Sequence, residues 1–148
     1  MTTKAAFTEQ EWDLVRAAPP AAGLLVITAS KGGMMRETVE MAKVYAEARQ
    51  QHGESEFLDE LVASKPRAER AKVHSPEELK QHTLQQLREA VALVSAKATP
   101  AEVDDYRQFI VTLTQRVAAR HREDGVDVSD AEQRAIEDVR SALGGPAA

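Results

Sequence analysis

Four times this chain places a hydroxyl residue three positions ahead of a glutamate, at the head of an apolar-periodic stretch. The pairs are Thr8 and Glu11, Ser75 and Glu78, Thr99 and Glu102, and Ser129 and Glu132. In such a capping box the hydroxyl oxygen accepts from a free N–H of the first helical turn. The carboxylate accepts in return from the N–H of the capping residue. Pro76 and Pro100 directly follow two of the caps, at the first helical position, where a missing N–H costs nothing. Phe7 and Trp12 flank Thr8 at the positions of a hydrophobic staple. Four helix starts of this kind leave little chain for any other structure.

The breakers and the apolar period predict about six helices. The first spans 9–18 and is stopped by Pro19-Pro20. The second, 20–30, is apolar all round, the mark of a central, buried helix. A third at 34–51 sets Met34, Thr38, Met41, Tyr45 and Ala48 on one face and ends at His52-Gly53. A short piece at 54–63 carries Phe57, Leu58, Leu61 and Val62, and 64–74 is a polar connection. Then Leu84, Leu87, Val91 and Val94 mark a seam along 76–97, and Val103, Tyr106, Ile110, Leu113 and Val117 mark one along 100–123. With only Ala98-Thr99 between them, these read as a long central antiparallel hairpin. A last helix at 130–143 carries Ile136, Val139 and Leu143. Val126-Asp127-Val128 alternates over too few residues for a strand. The expected fold is all-α: a single-domain helical bundle over 1–148, with short disordered ends at 1–6 and 144–148.

Composition excludes more than it assigns. Cysteine is absent, which removes disulfides, thiolate metal sites and a cysteine nucleophile. A formal charge of −5 argues against bulk attraction to nucleic acid or an anionic membrane. The longest apolar run, from Pro19 to Ala29, falls short of the ~20 residues a bilayer requires. The opening Met1 to Phe7 has no apolar core of a secretory signal, so a cytoplasmic protein is expected, with no membrane insertion and no nucleic acid.

Few constellations could carry chemistry. Glu78 and His82 share a helix face and could give two metal ligands, but the same spacing describes an ordinary solvated pair. Neither Glu-x-x-His nor His-Glu-x-x-His occurs, so the di-iron and zincin patterns are missing. Lys31-Gly32-Gly33 lacks the spacing of a phosphate-binding loop and reads as a turn. Residues 65–74 hold four cations against one anion, Glu69, with no aromatic to stack on a base, as a solvated connection would. No serine stands in a Gly-x-Ser-x-Gly elbow. The segment 124–132 is richer. Asp124, Asp127, Asp130 and Glu132 crowd oxygen ligands of the kind hard divalent cations take. The same acidic residues would also favour the positive end of the last helix behind the Ser129 cap.

Apolar residues off the two seams raise the question of a partner. Leu79 and Leu93 lie on one helix and Phe109 and Val111 on the next; Phe109 points about 100° away from Ile110. Either the N-terminal helices cover them, or Phe109 with Leu93 or Leu79 forms a patch that pairs across a two-fold axis into a homodimer.

The opening Phe7-Thr8-Glu9-Gln10-Glu11-Trp12-Asp13-Leu14-Val15-Arg16-Ala17-Ala18-Pro19 resembles that of a group of small, uncharacterised all-helical bacterial proteins, and Gly125 to Leu143 resembles their closing segment. That likeness implies a helical fold and carries over no catalytic residue. More distantly, Asp124, Gly125 and Glu132 are similar to the acidic segment of TerB-like helical domains, which implies a divalent metal there. The expected function is a non-catalytic cytoplasmic protein that binds another protein or itself, without a cofactor. The alternatives are a TerB-like divalent-metal module and a small-molecule enzyme with no identified site.

Overall fold

Thr8 opens the first helix as its capping box dictates. Its N–H donates to Glu11 Oε1 at 2.9 Å, and the Glu11 N–H donates to Thr8 Oγ1 at 3.1 Å. The Phe7 and Trp12 rings meet with centroids 5.7 Å apart, closing the staple. The same reciprocal pair forms at Thr99 and Glu102, at 3.0 and 3.2 Å. The computed structural model describes residues 6–29, 42–48, 61, 76–123 and 130–144. These form α1 (Glu9–Ala29), α2 (42–48), α3 (Pro76–Lys97), α4 (Pro100–Glu123) and α5 (Asp130–Leu143), with no strand among the described residues. The caps Ser75 and Ser129, the expected connection 64–74 and most of the two helices expected over 34–63 lie outside them.

One expectation is overturned. Pro19-Pro20 does not end a helix; α1 runs through both. Proline inside a helix lacks the N–H that would reach the carbonyl four residues back, and its ring crowds that carbonyl. For Pro19 that carbonyl is Val15 O, and the Tyr106 hydroxyl donates to it at 2.7 Å. A side chain of α4 thus supplies the donor that the backbone lacks. Ala18, Pro19, Pro20, Ala22 and Gly23 around the break are all buried, so this helix is the central one, as its composition requires.

The two seams are buried throughout, from Leu84 to Val94 and from Val103 to Val117. Their partner is chiefly α1. Helices α3 and α4 each pack more extensively on α1 than on one another, and α5 closes against α3, α1 and α4. Tyr45 of α2 meets Phe109 of α4 edge-on at 5.1 Å, and Glu47 takes both guanidinium nitrogens of Arg116 at 2.7 and 3.2 Å. Leu61 is helical and buried. Lys80 Nζ stands 3.1 Å from Asp138 Oδ2, a buried oxygen with no hydrogen bond, so this ion pair between α3 and α5 is what offsets its burial.

Ala6 and Gly144 are the outermost described residues. The Ala6 carbonyl accepts a bond from Lys97 at 3.1 Å. At the other end Gly144, with φ +64°, turns the chain out of α5 in the left-handed conformation that glycine adopts most readily there, and Arg107 Nε donates to Leu143 O at 2.9 Å.

Candidate functional site

Among the described residues three groups have clearly shifted ionisation, and each is explained by the fold. Tyr106 is 0% exposed, and burial, reinforced by nearby Tyr45, holds its hydroxyl well above the usual tyrosine range. It is therefore a fixed donor to Val15 rather than an acid or base. Glu11 is held below the ordinary carboxylate range, first by its hydrogen bond from Lys97 and then by the Thr8 N–H. Lys97 Nζ lies 2.6 Å from Glu11 Oε1 and 5.6 Å from the centre of the Phe7 ring, so it ties the end of α3 to the start of α1. Glu47 is lowered in the same way, first by Arg116.

Between α4 and α5 lies a groove of about 490 Å³. Ala118, Ala119 and Ile136 form its apolar part; Gln115, Gln133, Glu137 and Arg140 supply its polar part. The local sequence explains the shape. Alanines on α4 keep the floor low, while the core side of α5 is taken by Ala135, Val139, Ala142 and Leu143, leaving Ile136 half-buried at the edge. Glu137 and Arg140 are exposed, and among the described residues neither has an ionic or hydrogen-bond partner. Such a trough offers apolar contact and one charge of each sign, but no nucleophile beside a base.

The residues singled out from sequence fall elsewhere. Phe109 is 7% exposed and meets Tyr45 edge-on. Leu93 is half-buried and packs against the core, and Leu79 is half-buried in the first turns of α3; neither lines the groove. Asp124 and Asp127 lie outside the described residues, as do the side chains of Asp130 and Glu132 in the first turn of α5. Among the described residues no three His, Asp or Glu side chains are gathered to hold a metal ion. His82 and Glu78 are exposed on α3. No helix of the described residues is long and apolar enough to cross a membrane. Sequence reasoning passed over the groove because alanine and glutamine carry no motif. The one available signal was Ile136, whose side of the helix Glu137 and Arg140 share. Comparison with known proteins finds no matching family model, curated protein or solved structure.

Proposed function

We propose that this chain is a non-catalytic cytoplasmic helical protein that works by binding a protein partner, itself included, through the groove between α4 and α5. The observation that carries this reading is the pair Glu137 and Arg140, without an ionic or hydrogen-bond partner among the described residues, beside the apolar strip of Ala118, Ala119 and Ile136. Elsewhere the shifted groups are engaged in caps, interhelical ion pairs and the Tyr106 bond. Exposed Ala119 gives the test. The Ala119→Trp variant fills the groove from a position that does not support the core. A protein captured by the wild type and lost by this variant, with helicity unchanged, supports the reading. Identical captures by both overturn it.

A second reading keeps the resemblance to TerB-like domains: a divalent-metal module with Asp124, Asp127, Asp130 and Glu132 as ligands, favoured by the density of oxygen-bearing side chains from 124 to 132. Calorimetric titration with calcium, magnesium, manganese and zinc tests it. Heat that disappears when the three aspartates become asparagine supports the metal; no heat from any of the four ions ends it. A small-molecule enzyme, the third reading, has no residues assigned to it.

A further inference from the structure

Resting on that reading of the groove, we propose that its occupant is a second copy of this chain, docked about a two-fold axis so that Glu137 of each copy meets Arg140 of the other. The argument is self-complementarity. Gln133, Ile136, Glu137 and Arg140 follow one another at steps of three, one and three, a single stripe along α5 that borders the groove. The stripe carries one anion and one cation, neither partnered among the described residues. A partner surface of a single sign would satisfy one and oppose the other. A copy of the same stripe, turned antiparallel by a two-fold axis, satisfies both, because an isologous interface repeats each contact in reverse. The register that sets 137 against 140 also sets Ile136 against Ser141, a small exposed side chain. Ala118 and Ala119 beside the stripe leave room for the approach. The net charge of −5 does not prevent this, since repulsion between exposed charges is largely screened beyond ~8 Å at physiological salt, whereas the facing pairs lie in contact.

Charge reversal tests the proposal, read by sedimentation over a dilution series with helicity checked by circular dichroism. The wild type should move from 16.2 kDa toward twice that mass as concentration rises. Glu137→Arg sets arginine against Arg140, and Arg140→Glu sets glutamate against Glu137. Each should weaken the dimer on the order of a hundred-fold. Mixed in equal amounts, the two variants face each other with opposite charges at both contacts and should recover the dimer. Should either reversal unfold the chain, Glu137→Gln and Arg140→Gln serve instead, each expected to weaken association on the order of ten-fold. A wild type that stays at the monomer mass to on the order of millimolar overturns the proposal, as does a dimer indifferent to these substitutions. A monomeric wild type whose protein capture is still lost on Ala119→Trp overturns only the second copy and leaves the groove reading standing.

Discussion

Pro19 is a residue that a helix interior ordinarily rejects, and Tyr106 is what lets this helix keep it. Without the tyrosine hydroxyl, Val15 O would sit in the core with no donor from residue 19. Leaving a buried acceptor unsatisfied costs about 1–3 kcal/mol. Tyr106→Phe should lose that much in urea unfolding. The cost should shrink in a Pro19→Ala background, where residue 19 regains its N–H; equal costs in both backgrounds would separate the two residues. Alkali acts on the same bond. Because burial raises the folded hydroxyl above its ordinary value of 10.0, the unfolded chain releases this proton first. Stability from this group is complete below pH 10.0 and falls as pH climbs through and beyond it, and Tyr106→Phe should flatten that decline. The sequence showed Pro19 as a breaker and Tyr106 as an apolar-seam residue. It could not show that they answer each other through the Val15 carbonyl, 91 positions from Tyr106, because hydrogen-bond partners distant in the chain leave no local pattern.

Helix starts were the most legible elements, because a capping box is written within four consecutive residues and needs no distant partner. The Thr8 and Thr99 boxes form with both reciprocal bonds. Thr8→Ala and Thr99→Ala should each cost about 0.5–2 kcal/mol in urea unfolding, a loss that serine should largely spare. What the sequence did not disclose is that the Thr8 box also receives Lys97, which reaches Glu11, the Ala6 carbonyl and the Phe7 ring together. Glu11 titrates below its ordinary 4.5 in the folded state, so the latch contributes above that pH. Its contribution fades as pH falls from 4.5 through the lower folded value. Lys97→Met should therefore shallow the acid limb of the stability profile. An acid limb identical to the wild type would show the latch to be idle.

Periodicity names the buried face of a helix but not the neighbour that buries it, and this separates the hairpin expected from sequence from the packing observed. Leu87 and Leu113 lie at the centres of the two seams and are fully buried, so truncating either to alanine should cost about 2–5 kcal/mol. That holds whichever helix faces them. The arrangement itself is tested by removing α1. If α3 and α4 were chiefly each other's partners, a chain of residues 31–148 would keep a cooperative hairpin. Both helices instead press more on α1 than on one another, and α1 brings Trp12, Val15, Ala18, Ala22, Leu25 and Val26 into the common core. Without it both seams open to water. The buried apolar area is the main force holding such helices together, since isolated helices of this length are marginal in water. The shortened chain should thus unfold without a sharp transition, lose the near-ultraviolet signal of packed Tyr45 and Tyr106, and bind a hydrophobic dye. Adding a separate peptide of residues 1–30 should restore cooperativity, because the missing partner rather than a missing chain connection is the defect. A shortened chain with a sharp transition of its own would instead return the hairpin to the centre of the fold.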